Sequence, residues 1–405
     1  MAFRLALSGL NAASTDLSVT ANNIANTGTV GFKGSRAEFA EMFAVSAQGV
    51  SNLAIGNGAR VSEVAQQFTQ GNIDSTGQSL DMAISGQGFF TLSDKGALAY
   101  TRAGAFQVDR DGYVVNSNNL RLQVYPPTAA GSFNTGALSD LRLVTSESPP
   151  AATTKVEMVL NLPASAPLPT HAPFNTADPD SFNHSSSMTV YDSLGAAHTA
   201  TTYFSKTANA NEWEQRLYID GTADGAVQLM QFSNTGAIVV PANGRINFPA
   251  FVPSTGAAAL TVQYDFSKAT QYGGAFAVNS VTQDGYTTGR LIGIDTNSTG
   301  VVQARFTNGV STSLGQVALA NFSNPNGLQQ LADTNWAETF SSGQALKGQA
   351  GNAGIGLIQS GALEASNVDI TAQLVNMITA QRNFEANAKM ISTSDAITQT
   401  IINIR

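Results

Sequence analysis

Cysteine is absent from the 405-residue chain, which removes disulfides, thiolate metal sites and cysteine nucleophiles together. Any part that works outside a reducing compartment must be held by packing alone. Charge is scarce as well. Only 12 % of residues are Asp, Glu, Lys or Arg, about half the usual share. The net charge of −8 argues against a nucleic-acid partner, which favours a basic face, and against anionic membrane surfaces. Histidine is limited to three residues, His171, His184 and His198, and none forms an H-x-x-x-H or H-E-x-x-H pattern. No apolar run approaches the roughly 18 residues of a membrane span, so no membrane insertion is expected. The opening Met1–Leu10 has too short an apolar core for a signal peptide, and Asn11, Ser14, Thr15 and Asp16 follow at once. It reads as mature sequence, and any export is expected to proceed without a cleaved signal.

What the chain does have is 42 % hydrophobic residues, 37 glycines and an excess of Ala, Ser, Thr and Asn. The length suggests two to four domains. A bland, weakly charged surface suits close packing between subunits, because few ions must be desolvated. An ordinary low-charge secreted β protein fits the composition equally well.

The two ends differ from the middle. Phe3, Leu10, Leu17 and Ile24 recur every seven residues, with Leu7 and Ala21 on the adjoining stripe. Leu363, Ile370, Met377, Phe384 and Ile391 keep the same period at the far end, with Leu374, Ala388 and Ile402 in the second position. Ser14, Gln381 and Asp395 interrupt the second stripes. Both ends therefore read as amphipathic helices with coiled-coil seams, or else as surface helices on a globular core. Asn22-Asn23-Ile24-Ala25-Asn26-Thr27-Gly28 supplies residues that tolerate a left-handed C-cap, and Val30-Gly31-Phe32 should continue extended. One apolar stripe does not offset the backbone entropy of ordering so long a helix. Both ends are thus expected to be disordered in the free chain and to fold against neighbouring copies.

Between about Gln66 and Tyr286 the pattern is β. Thr101–Val115 alternates around Asp109-Arg110-Asp111-Gly112, a hairpin turn sequence. Ser148–Thr154 reads as a linker or crossing. Val156, Met158, Leu160 and Leu162 then alternate strictly with other residues, Pro163–Asn183 reads as a long loop, and further strands follow to Phe266. Another β stretch runs from Gly285 to about Phe322, and the tail from Asn367 is helical. The expected fold class is multidomain α+β: terminal α-helices forming a coiled-coil-like domain, with nested, predominantly β domains between them. The divisions are 1–28 with 367–405 (terminal helices), 29–75 with 355–366 (connecting region), 76–147 with 287–354 (inner β domain) and 148–286 (inserted outer β domain).

Chemistry is hard to place on this chain. His198 near Asp192 and Ser193 has no G-x-S-x-G elbow to complete a triad. Asp109 and Asp111 lack the rest of a calcium loop. Gly351, Gly354 and Gly356 match neither a phosphate loop nor a dinucleotide fingerprint. Glu38 and Glu41 sit at helical spacing and read as a solvated helix face. No catalytic residue, cofactor or metal is expected, and a polymer or interaction protein remains.

Several stretches resemble the bacterial flagellar rod and hook family of axial proteins. Leu7–Ala13, Ala21–Asn26 and Thr29–Lys33 are similar to its N-terminal signature, with Asn22, Asn23, Asn26, Gly31, Phe32 and Lys33 as motif residues. Ser85–Phe90 and Tyr100–Phe106 resemble its central β motif, and Ser360–Asp369 leading into Met377–Phe384 resembles its C-terminal signature. Asn116–Leu120 carries Asn where the family often has Gly, a small departure because Asn tolerates the left-handed turn. The stretch Thr189–Thr199, with Tyr191, Asp192, Leu194 and Gly195, resembles the outer domain of hook members, which rod members lack.

The resemblance implies a hook subunit, exported unfolded or partly folded through the flagellar export apparatus to an extracellular, basal-body-associated place. It implies a helical homopolymer, a curved hollow tube that couples rod to filament as a universal joint. The implied partners are other copies, the distal rod, the hook cap, the hook-length control protein and the hook-associated junction proteins. A distal rod or hook-associated axial protein is the alternative. The polymer interface is expected at Phe3, Leu10, Leu17, Ile24, Ile370, Leu374, Met377, Phe384 and Ile391.

Overall fold

The computed structural model describes residues 2–42, 56–128, 131–143, 147–352 and 354–403. Two compact units result. The first comprises Met1–Thr145, Ile292–Arg305 and Ser311–Arg405, and the second Ser146–Leu291 and Phe306–Val310.

The first unit opens and closes with its two long helices, α1 (Ala2–Ala25) and α2 (Ile370–Asn403), packed against each other. Between them in sequence lies a 13-stranded sheet system. Its centre is the hairpin Phe89–Asp94/Ala97–Thr101, closed by Lys95 and Gly96, both at positive φ as a tight two-residue turn requires. Leu319–Asn321 joins Phe89–Asp94 on the other side. Met82, Ile84, Phe90, Leu92, Leu122 and Leu319 pack as the main core. A second cluster sets Phe89, Tyr100, Phe322 and Trp336 edge to face. At Asp109–Gly112 the side chain of Asp109 accepts hydrogen bonds from the N–H groups of Asp111 (2.9 Å) and Tyr113 (2.7 Å), so this acidic pair builds a turn. Asn119 takes the left-handed conformation at φ 60°.

The second unit is a sandwich of a five-stranded and a six-stranded sheet. Lys155–Pro163 alternates as its sequence predicts, with Val156, Met158, Leu160 and Leu162 fully buried. They meet Phe204, Trp213, Leu217 and Tyr264 in one core. The Pro-rich stretch after residue 163 contains only a short 3-10 turn, Pro179–Ser181. Phe174 and Phe182 fasten it over the sheet through Tyr203 (5.3 and 4.9 Å between centroids), and Arg216 lies over the Phe174 ring.

Two local expectations give way. Glu38 and Glu41 lie on a strand, Ser35–Glu41, paired antiparallel with Ala59–Gln66, because ladder pairing overrides their helical spacing. Within 29–75, Ile73–Ser75 is a further short strand. Val30–Phe32 is a turn, with Gly31 at φ 67°, where extended backbone was expected.

Candidate functional site

Small residues set how closely the terminal helices approach. On α1 the covered positions are Ala6, Ala13, Thr20 and Asn23, while Leu10, Leu17 and Ile24 are half-buried and Phe3 is exposed. A Cβ on Gly9 would fall 2.5 Å from Asn387 Oδ1, which places the two helices in direct contact there. The paired strands Ser35–Glu41 and Ala59–Gln66 cover another flank of α1, and a Cβ on Gly58 would strike the Ser8 hydroxyl. On α2, Met377, Phe384 and Ile391 are half-buried at seven-residue spacing, whereas Ile370 and Leu374 are exposed.

The second stripe of α2 keeps Ala388 half-buried but departs from the sequence expectation at Leu374 and Ile402, which are exposed. Gln373, Ala380, Asn387 and Ser394 occupy it. Ala380 is fully covered, and the larger apolar side chains are displaced to the flanks or to solvent because the helices lie close. Val375, Ile378, Met390 and Ile397 remain exposed on α2, as do Phe3 and Leu7 on α1. This is a large unpartnered apolar surface for a single chain.

Where the helices join the β region, the motif residues form a polar junction. Asn26 closes α1: its side-chain amide donates to Asn22 O at 2.9 Å and its Oδ1 accepts from the Thr29 hydroxyl. The Asn22 side chain is exposed. Asn23 is buried and clasps the backbone of Ser35 in both directions, at 2.7 and 2.8 Å. Gly31 is required by contact as well as by φ, since a Cβ would sit 2.5 Å from Ala103 N. Its N–H donates to Glu364 O at 2.7 Å. Phe32 is buried beside it.

Lys33 then enters the interior with no exposed side-chain surface and donates to Glu364 Oε1 at 2.6 Å and Thr69 O at 2.7 Å. Arg102 donates to the other oxygen, Glu364 Oε2, at 3.2 Å and to Gly86 O. Gly71 N completes the shell of Glu364 at 2.9 Å. Burial pushes the Lys33 ammonium below its usual range, against the pull of Glu364. Asn367 tethers the start of α2 by accepting from Gly34 N and donating to Gln67 O and Thr69. Sequence reasoning singled out Lys33 but missed Glu364 and Arg102 as its partners, because they are 331 and 69 residues away from it.

In the second unit, Tyr191, Asp192, Leu194 and Gly195 form the turn between the strands His184–Tyr191 and Ala197–Lys206. Thr153 Oγ1 receives the Tyr191 N–H at 2.9 Å, and Leu194 is exposed. Asp192 Oδ1 accepts from Leu194 N and Ala196 N, and Oδ2 accepts from the Thr255 hydroxyl and faces His198 Nε2 at 3.2 Å. Burial alone would raise this carboxyl, but those hydrogen bonds hold it at about 2. His198 Nδ1 contacts Asp220 Oδ2 at 2.6 Å, so both ring nitrogens face carboxylates. Burial would lower the imidazole, and the two carboxylates outweigh it and raise it. Ser193 Oγ accepts from Ala258 N. His198 thus braces a turn between two acids. Among the described residues, His171, Asp178 and Asp180 bring three ligand atoms together, but on an exposed loop where Asp178 already pairs with His171 and caps the 3-10 turn.

Four family profiles match in chain order. "Flagella basal body rod protein" covers residues 3–33, "Flagellar hook protein FlgE/F/G D1 domain" 83–153, "Flagellar basal body protein FlaE D2 domain" 161–286, and "Flagellar basal body rod FlgEFG protein C-terminal" 359–404. The chain is 40 % identical to the flagellar hook protein FlgE of Escherichia coli K12, and 39 % to that of Salmonella typhimurium LT2, over the whole of each chain. The corresponding protein of Borreliella burgdorferi is 33 % identical over 98 % of each chain. The crystal structure of Helicobacter pylori flagellar hook protein FlgE2 shares the fold, with a TM-score of 0.55 and 14 % identity over 72 % of this chain and all of that one. With this identity sustained from end to end, the chain belongs to the flagellar hook protein FlgE family.

Proposed function

We infer that this chain is a structural subunit of the bacterial flagellar hook and acts by polymerising with copies of itself. The observation that carries the reading is full-length similarity to hook proteins, joined to two terminal helices that leave an apolar surface uncovered. In this reading the helices of many copies pack as an inner tube, using Phe3, Leu10, Leu17, Ile24, Ile370, Leu374, Met377, Phe384 and Ile391. The β regions, 76–147 with 287–354 and the insertion 148–286, lie outside it. Repeated head-to-tail contacts that do not close generate a helical tube. A weakly charged surface rich in Asn, Ser and Thr permits several near-equal contacts, which bending as a universal joint demands. The polymer meets the distal rod at its base, the hook-associated junction proteins and cap at its tip, and the length-control protein and export apparatus during growth outside the cell.

The test is a clean gene deletion followed by electron microscopy of basal bodies. Complete rods without hook or filament are the expected result. Truncated rods would instead make it a rod protein, and intact flagella would overturn the reading.

A further inference from the structure

The chain passes between its two units at 145–146 and 291–292, and once more through a hairpin. The strands Val301–Phe306 and Ser311–Val317 pair antiparallel, and both lie in the first unit up to Arg305 and from Ser311. Their tip, Phe306–Val310, belongs to the second unit. The tip is folded by its own bonds. Phe306 N donates to Val310 O at 3.0 Å and Gly309 N to Phe306 O at 3.0 Å, with Gly309 left-handed at φ 81°. Asn308 Oδ1 accepts from Val310 N at 3.1 Å. This is a three-residue hairpin loop closed by a left-handed glycine, a turn that keeps its shape without outside support.

Three further bonds fasten this finished turn to the returning segment of the second unit. Thr307 N donates to Arg290 O at 2.9 Å, Arg290 N donates to Thr307 Oγ1 at 2.9 Å, and Asn308 Nδ2 donates to Thr287 O at 2.8 Å. The fit is close, since a Cβ on Gly289 would fall 2.6 Å from Asn308 Cγ. The returning segment also pairs with the outgoing one. Ser148 N donates to Gly289 O at 2.7 Å, and Ala151 and Tyr286 exchange bonds of 3.0 and 2.9 Å. Segments 148–151, 286–290 and 307–308 are thus joined as a three-segment ribbon. A two-stranded ribbon is marginal in water, and a third strand is what makes it firm. Each docking bond adds little net stability, because water replaces it on release. Phe306 at the foot of the tip is buried, which makes the docked form the resting one.

We propose that Phe306–Val310 is a releasable brace on the connection between the two units. Docked, it holds the outgoing and returning segments in the three-segment ribbon and stiffens the passage. Released, it leaves a two-segment connection that bends and twists more freely, with both units still folded. Its use in a polymer that bends rests on the hook-subunit reading. The brace itself does not, and it is read on the isolated chain.

Thr307→Pro is the first test. Proline suits the first central position of this turn, yet it removes the Thr307 N–H and hydroxyl, and with them two of the three docking bonds. Adding Gly289→Val displaces the Asn308 amide and breaks the third. Spin relaxation of the backbone amides in Phe89–Asp94 and Lys155–Pro163 reads the tumbling of each unit separately. The unsubstituted chain should show one shared correlation time. The double variant should lose it and show two different, shorter ones, with Thr307→Pro alone in between and the thermal melting of both units unchanged. A shared correlation time kept in the double variant overturns the brace, as does separate tumbling already present in the unsubstituted chain. Loss of the second unit's melting transition overturns it too, because the tip would then be part of that unit's core. None of these outcomes bears on the hook-subunit reading, which stands or falls on the gene deletion.

Discussion

Three buried charges at one point are costly unless each is paired, and the Lys33–Glu364–Arg102 cluster contains one anion for two cations. Removing the anion should therefore harm the fold more than removing one cation. Glu364→Gln leaves two uncompensated cations and is expected to destabilise the first unit by about 3–5 kcal/mol in urea unfolding. Lys33→Met leaves Glu364 with Arg102 and should cost clearly less; the reverse order would refute the cluster's role. His198 gives a pH prediction with a definite sign. Its folded value is raised above the ordinary 6.5, so its contribution is complete below about 6.5 and is lost as pH rises through the folded value. Asp192 is lowered to about 2, so its contribution is present above the usual carboxylate value and lost as pH falls toward 2. The second unit should melt highest between about pH 4 and 6.5 and lower at pH 8. His198→Gln should flatten the alkaline side, and an unchanged pH profile in that variant would remove the brace assigned to it. At this scale the sequence was legible where chemistry is local. Asp109 and Asn119 build turns in the structure, as their neighbours imply. Glu364 was not legible, because a charge partner hundreds of residues away leaves no local mark.

Helix α2 shows where periodicity informs and where it misleads. Met377, Phe384 and Ile391 lie half-buried at the spacing that announced them. The second stripe kept Ala388 but not Leu374 or Ile402, because close approach at Gly9 and Asn387 selects small and polar side chains for the contact. A hydrophobic period identifies a helix face, but the separation between helices decides which side chains lie between them. The pairing of Ser35–Glu41 with Ala59–Gln66 was illegible for a related reason: strand pairing is a long-range fact, and Glu38 and Glu41 offered only a helical spacing. The face reading has a consequence for assembly. Leu17→Asp or Phe384→Asp places a charge on a half-buried stripe and should abolish elongation from hook fragments. Melting of the β sheets by circular dichroism should not change in either variant. Normal elongation would show that these stripes are not part of the polymer interface.

Across the whole molecule, two classes of surface have different jobs. The β sheets enclose cores in which Trp213, Trp336, Phe90 and Tyr264 are almost wholly covered, as in a chain that is stable alone. The terminal helices pack on each other largely through small side chains, α1 also against the strands Ser35–Glu41 and Ala59–Gln66, and they expose Ile370, Leu374, Val375, Ile378 and Ile397. Such helices gain little by folding in a dilute monomer, since tertiary burial, and not helix propensity, supplies most of a helix's stability. The single chain should therefore behave as folded β units with terminal segments that order on assembly. Amide hydrogen exchange on the dilute monomer should show rapid exchange across α1 and α2 and strong protection in Lys155–Pro163 and Phe89–Asp94. In the polymer the helices should become as protected as those strands. Protection of α1 and α2 already present in the monomer would mean that the helix pair is a finished element, leaving assembly to rest on contacts between β surfaces. Removal of residues 2–25 and 370–403 separates the same alternatives by another route. A truncated chain that keeps its β melting transition and cannot elongate hook fragments places the driving force of assembly in the helices, and one that still elongates places it in the sheets.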